Sequence, residues 1–315
     1  MPNRTPLALF VYNRPAHTRR ALEAISRLQR LDEVDLIVFC DAARRPEHQP
    51  AVAETRGIVR AHAASHRVEI VERDTNFGLA KSIAGSTSVL TDAYGSVIVL
   101  EDDLVPTPDF LPYMLDGLER YREAESVLQI SGCLLPGTVT SPADTLFLPL
   151  TTTWGWATWK RAWKAFQPVT TADRTALNED ASLRHRFTAE GAVDYVSMLD
   201  DRLADRNDSW GILWWFAVAR AQGLVLYPRK SLIWNGGFDA SGVHCGGTEV
   251  FQEQAPAVFH RARLGTPISM PGSVSCDTEA WGEVLRFLAN GDVRADAAPP
   301  VSRIRAFARR LLSRA

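Results

Sequence analysis

The sequence predicts an α/β fold, a mostly parallel central sheet with helices on both faces. Two observations carry this. Short apolar, partly β-branched runs alternate with segments of helical periodicity through the first hundred residues, which is the pattern of right-handed βαβ units. The chain of 315 residues, 46% hydrophobic, is also long enough to bury one large core or two modest ones.

The elements follow in order. Residues 7–12 form an apolar run, and 15–30 carry helical spacing through Leu22, Ile25 and Leu28. A second strand is expected over 34–40, ending at Asp41, then a helix over 51–64 and a third strand over 68–71. Residues 79–94 read as a helix closed by Gly95 at its C-cap. The fourth strand, 97–100, stops at the acidic triplet Glu101, Asp102 and Asp103. Past Gly132 the pattern changes. Residues 136–149 are rich in turn formers, and eight tryptophans fall between Trp154 and Trp234. Helices are expected over 159–166, 193–206, 210–222 and 278–289, with strands over 224–227 and 231–234. The chain divides into a nucleotide-binding α/β half (1–132), a second half of the same domain (133–253) and a C-terminal extension (254–315) that ends in a helical tail.

Composition narrows the function. With 35 Lys and Arg against 37 Asp and Glu the formal charge is −2, without the basic footprint of a nucleic-acid binder. No apolar run approaches the roughly 20 residues of a membrane span, and the first residues are not expected to be a secretion signal. Cys40, Cys133, Cys245 and Cys276 are far apart and form no CxxC pair, which fits a reducing, cytoplasmic setting.

Ligands of open parallel sheets bind at the carboxyl ends of the strands. The first exit, Tyr12-Asn13-Arg14-Pro15, lacks the GxGxxG of dinucleotide folds, and no GxxxxGK[ST] occurs. Arg14 and Asp41 suit hydrogen bonding to a nucleobase and ribose, or plain helix capping. The triplet after residues 97–100 favours a hard divalent cation, Mg²⁺ or Mn²⁺, bridged to phosphates, with a solvated acidic turn as the alternative. His244, in a glycine-rich loop, is either a further metal ligand or a surface histidine. Asp208, in Asn207-Asp208-Ser209-Trp210, is either a general base or a helix N-cap. The tryptophans suit sugar faces or a core. The last stretch carries Arg303, Arg305, Arg309, Arg310 and Arg314 around an apolar 3–4 spacing, leaving 30 basic against 37 acidic residues elsewhere. It reads as a basic amphipathic helix on an anionic membrane, or as a docked terminal helix.

Taken together, Tyr12-Asn13-Arg14-Pro15, Asp41, Asn76-x-Gly78-Leu79-Ala80-x-Ser82-Ile83, Glu101-Asp102-Asp103-Leu104-x-Pro106-x-Pro108, Trp154-Gly155-Trp156, Asp208-Ser209-Trp210 and Gly237-Phe238-Asp239-x-Ser241-Gly242-x-His244 occur in an order that resembles GT-A-fold (Rossmann-like) glycosyltransferases. The likeness is to bacterial surface-polysaccharide transferases related to the N-acetylglucosaminyltransferase I type. It implies a metal-dependent, inverting transfer of a hexose or N-acetylhexosamine from a UDP-sugar to a glycan or lipid-linked glycan. Asp103 and His244 would hold Mn²⁺ or Mg²⁺, and Asp208 would be the base. Arg14, Asp41, Asn76, Lys81, Glu101, Asp102, Trp154, Gly155 and Trp156 would bind the nucleotide-sugar. The resemblance also implies a cytoplasmic enzyme, peripheral on the inner membrane face through residues 301–315. The rival readings are a sugar-1-phosphate nucleotidylyltransferase, which would want a Gly-rich basic loop after the first strand, and a non-catalytic nucleotide-sugar-binding protein of the same fold.

Overall fold

The computed structural model describes residues 4–135, 138–238 and 264–290. The expected alternation is present: β1 (Thr5–Val11), α1 (Pro15–Ile25), β2 (Val34–Cys40), α2 (Gln49–Ala63), β3 (Val68–Glu72), α3 (Leu79–Tyr94) and β4 (Ser96–Glu101). Helix α1 ends five residues earlier than its periodicity suggests. Arg30 takes a left-handed backbone, φ 61°, and its guanidinium bonds Glu33 and Asp116 instead of continuing the helix.

The second half departs further. The chain continues through β5 (Leu104–Pro106), α4 (Phe110–Arg120), β6 (Val127–Ser131) and β7 (Thr145–Leu148), then β8 (Trp156–Trp159) and α5 (Lys160–Trp163). After α6 (Thr171–Glu179), α7 (Ala181–Phe187), α8 (Tyr195–Leu203) and α9 (Gly211–Arg220) come β9 (Leu224–Pro228), β10 (Ile233–Asn235) and α10 (Thr278–Asn290). The helix expected over 159–166 is only the single turn α5. Its first residue closes β8, whose backbone is claimed on both sides by β4 and β6. The turn-rich stretch 136–149 contains β7, paired to β9.

Eight strands form one sheet in the order β3-β2-β1-β4-β8-β6-β9-β7, with β10 and β5 as a separate pair. Strands β1 to β4, β6 and β9 share a direction, while β8 and β7 run against it. Leu7, Ala8 and Leu9 of β1 are all fully buried, as expected of a strand with helices on both faces. One apolar cluster runs from β1 to α10, where Ala280 and Val284 are buried. Among the described residues no helix is long and apolar enough to cross a membrane.

Two glycines show how tightly this frame is set. Gly95 ends α3 with φ 85° and donates its N–H to the Thr91 carbonyl, as its predicted C-cap role requires. Gly155 has φ 65°, but a Cβ there would lie 2.6 Å from the Ile233 side chain, whereas one at Gly95 meets open space. Gly95→Ala should therefore cost only the left-handed backbone, about 1–2 kcal/mol. Gly155→Ala adds overpacking, for a total of about 2–5 kcal/mol. Urea unfolding of the two variants checks this, and equal losses would show that the packing around Ile233 gives way freely.

Candidate active site

Because β1, β2, β3 and β4 are parallel, their carboxyl ends open on one edge of the sheet. Strand β8 runs the other way, with Trp156 opposite Val99, so its entry residues Trp154 and Gly155 reach the same edge. The Gly155 carbonyl accepts from the Gly132 N–H at 2.6 Å, the Gly132 carbonyl from the Leu232 N–H, and the Asp103 carbonyl from the Gly236 N–H. Helices α3 and α9 each run back from this edge to feed the parallel strands β4 and β9, so their N-termini face it too.

At the centre of the edge, Arg14 from the β1 exit meets the acids of the β4 exit. Its Nε and Nη2 hold both oxygens of Asp102, and its Nη1 donates to Asp103 Oδ2 at 3.0 Å. Glu101, Asp102 and Asp103 are all buried. Burial raises the Asp102 carboxyl above the ordinary carboxylate range; Arg14 opposes that rise and Asp103 adds to it. Burial also works against the Arg14 charge, but the fields of Asp102 and Asp103 outweigh it and hold the guanidinium protonated. The set offers oxygen donors only, three carboxyl groups beside one guanidinium. That chemistry fits a hard divalent cation. Among the described residues no group of three or more His, Cys, Asp or Glu is placed to hold a metal ion.

Asp41, at the β2 exit, is buried and its carboxylate is engaged. It accepts from the N–H groups of Ala42, Phe77 and Gly78 at 2.9–3.0 Å and from Asn76 Nδ2 at 3.1 Å. Asn76 Nδ2 also donates to the Ala42 carbonyl at 2.7 Å. The β2 exit is thereby stapled to the loop that opens α3. Arg73 adds a second tie, donating to Ser82 and Ser86 of α3 and lying 4.2 Å over the Phe77 ring.

Between the starts of α3 and α9 lies a cavity of about 510 Å³. Arg44, Phe77, Lys81, Arg202, Asp208 and Trp210 line it. The capping alternative for Asp208 is not what is found. Ser209 Oγ accepts from the Ile212 N–H at 3.3 Å, while the exposed Asp208 carboxylate has no hydrogen-bond partner among the described residues. All of these tryptophans but the half-buried Trp234 are core. Trp156, Trp163, Trp210 and Trp214 pack with ring centroids 4.9–6.5 Å apart and are almost wholly buried. Trp154 is buried as well, so Trp154 and Trp156 present no broad ring face to a sugar. His244 and residues 301–315 lie outside the described residues.

The profile of the family described as "Glycosyl transferase family 2" matches residues 8–170, from β1 to the loop after α5. The chain belongs to glycosyl transferase family 2. This family 2 protein is thus a nucleotide-sugar glycosyltransferase of the GT-A fold. Among solved structures it is similar to the mannosyltransferase PcManGT from Pyrobaculum calidifontis, solved in complex with GDP-Man and Mn²⁺. The two are 15% identical, with a TM-score of 0.39 over 70% of this chain and 73% of that one. It is also similar to TarS of S. aureus, at 14% identity and a TM-score of 0.37 over 52% of this chain and 30% of that one. No curated protein matches the sequence.

Arg44, Phe77 and Arg202 line the cavity, with Arg73 against the Phe77 ring, and none of the four was singled out from sequence. Phe77 sits inside the Asn76-x-Gly78 motif and was within reach. Arg44 and Arg202 stand in no motif, and only the fold brings them to one cavity. Burial pushes the Cys40 and Cys133 thiols up to about 12 and leaves them unreactive.

Asp41→Ala would leave the N–H groups of Ala42, Phe77 and Gly78 without their acceptor. It should lower the unfolding free energy by about 2–4 kcal/mol, with Asp41→Asn losing about half as much. A urea midpoint unchanged in Asp41→Ala would show that the staple carries no load.

Proposed function

We propose that this glycosyltransferase moves a hexosyl or N-acetylhexosaminyl group from a UDP-sugar to a hydroxyl of a glycan or lipid-linked glycan, with inversion, in surface polysaccharide synthesis. Its kinship with the N-acetylglucosaminyltransferase I type belongs to the same proposal, supported by the order of its motifs. The observation that carries the chemistry is the Asp208 carboxylate, exposed and unpartnered among the described residues in a cavity at the sheet's carboxyl edge. A carboxylate engaged in capping is not available to take a proton; this one is.

The division of labour follows the two halves of the domain. Residues 1–132 supply the donor subsite, with Arg14, Asn76, Lys81, Glu101 and Asp102 toward the nucleotide-sugar. Asp41 serves it by holding the Asn76–Gly78 backbone in place. Residues 133–253 bring Trp154, Gly155 and Trp156 beside the sugar, largely through backbone, and Asp208 to the acceptor. Asp103 with His244 would hold Mn²⁺ or Mg²⁺, which when bound offsets the negative charge that develops on the departing diphosphate. Asp208 accepts the proton of the acceptor hydroxyl as that oxygen bonds the anomeric carbon. The bond from that carbon to the phosphate oxygen breaks, and the pair of electrons leaves with the nucleotide. One displacement inverts the configuration.

Nucleotide release from UDP- and GDP-sugars, measured with Mn²⁺, with Mg²⁺ and in excess EDTA, tests this reading. EDTA should abolish turnover. Asp208→Asn should lower kcat by about 10²–10⁴ with little change in stability, and the product should carry the inverted anomeric configuration. Turnover undiminished in EDTA would remove the cation, and a retained configuration would remove the single displacement.

The five arginines of 301–315 support a peripheral place on the cytoplasmic membrane face. Flotation with anionic liposomes should be lost on truncation after Pro300 and in ~0.5 M salt. Equal partitioning of the full and shortened chains would refute it.

A further inference from the structure

The cavity between α3 and α9 carries an unexpected charge. Excluding the terminal arginines, the chain has 30 basic against 37 acidic residues, yet this cavity is lined by Arg44, Lys81 and Arg202 and by one acid, Asp208. The cations are largely unspent. Among the described residues Arg44 forms no ion pair, and Lys81 only lies 4.6 Å over the Phe77 ring. Arg202 contacts Asp205 at 3.2 Å, but Asp205 is 93% exposed, so that pair is screened by water. The Arg202 Nε is buried and finds no acceptor among the described residues. Trp210, also lining the cavity, has a buried indole N–H without an acceptor among the described residues. A surface with spare donors and net positive charge around a ring-sized space is complementary to an anionic sugar.

We infer that the acceptor carries an acidic group, a carboxylate or phosphate on or next to the sugar whose hydroxyl reacts, and that Arg44 and Arg202 hold that group, Lys81 being left to the donor. The inference rests on the reading of Asp208 as the base, because Asp208 shares the cavity with these two arginines. Their role is then specificity. A neutral acceptor gives the two guanidinium groups no charge to pair with, whereas an acidic one pairs with them while its hydroxyl lies toward Asp208.

Isothermal titration of the full chain at about 25 mM salt tests this. The probes are methyl β-D-glucuronide, glucose 6-phosphate, methyl β-D-glucoside and inorganic pyrophosphate, with UDP and GDP titrated in parallel. The charged sugars should bind at least ~10-fold more tightly than the glucoside. That preference should shrink several-fold in Arg44→Gln, in Arg202→Gln and in ~0.5 M salt. Arg44 is exposed, so its replacement leaves the packing alone. UDP and GDP affinities should stay within about twofold in both variants and should not compete with the charged sugars. Equal affinity for charged and neutral rings, or no binding of charged rings below about 10 mM, would overturn the inference. Competition from UDP, GDP or pyrophosphate would overturn it too, by assigning the cavity to the donor's diphosphate. Binding of charged sugars as expected, in a protein that turns over no UDP-sugar, would uphold the acidic ligand and reject the transferase assignment of Asp208.

Discussion

The edge that holds the chemistry depends on keeping two buried carboxylates charged side by side. Strand β4 runs through the middle of the sheet and delivers Asp102 and Asp103 where little water reaches them. Removing an ion from water costs several kcal/mol even after the protein relaxes, and two like charges together cost more. Arg14 meets that cost because β1 is the immediate parallel neighbour of β4, with Phe10 opposite Glu101. The two exits therefore lie side by side, and the guanidinium spans both acids. Sheet order, rather than local sequence, makes the pair tolerable.

The rest of the edge is built around this centre. On one side Asp41 fixes the entry of α3 through backbone N–H groups, so the loop carrying Asn76 and Phe77 is held by hydrogen bonds instead of by bulk. On the other side the antiparallel β8 enters between β4 and β6. Its preceding turn fits only because Gly132 and Gly155 leave room for Phe110 and Ile233. Beneath Asp208 the indoles of Trp156, Trp163, Trp210 and Trp214 form an apolar floor that sets where α9 begins. Family membership says that a nucleotide-sugar is used. These local supports say which side chains can move when it binds, and Asp208 is among the least tethered.

Much of the first half was legible because each strand is a near-unbroken apolar run and each helix has a boundary residue, such as Pro15 or Gly95. The acidic exit was legible for the same reason, since the triplet follows a run with no polar interruption. The second half hides its strands. β6 has Gln129 in its centre, wholly buried, and that polar residue breaks the apolar signature. It is tolerated because its amide donates to the Thr152 carbonyl and accepts from the Trp214 indole, partners 23 and 85 residues away. β8 is four residues long and ends in a helical turn, so its periodicity reads as helix until β4 and β6 claim its backbone. Asp208 was named from sequence, but whether it caps or stays free is decided by Ser209, one residue later. Of the cationic cavity only Lys81 was named from sequence: Arg44 and Arg202 come from separate segments and meet it only in the fold.

The indole floor also gives the molecule an optical signature. Aromatic rings held this near one another, at fixed tilts of 33–63°, share their electronic excitation, and the sharing splits their ultraviolet absorption into paired bands of opposite ellipticity. The rings come from two separate stretches, the consecutive β8 and α5 and the beginning of α9. The coupling between the two stretches exists only while both are seated, so it reports directly on the assembly of the face from which Asp208 projects.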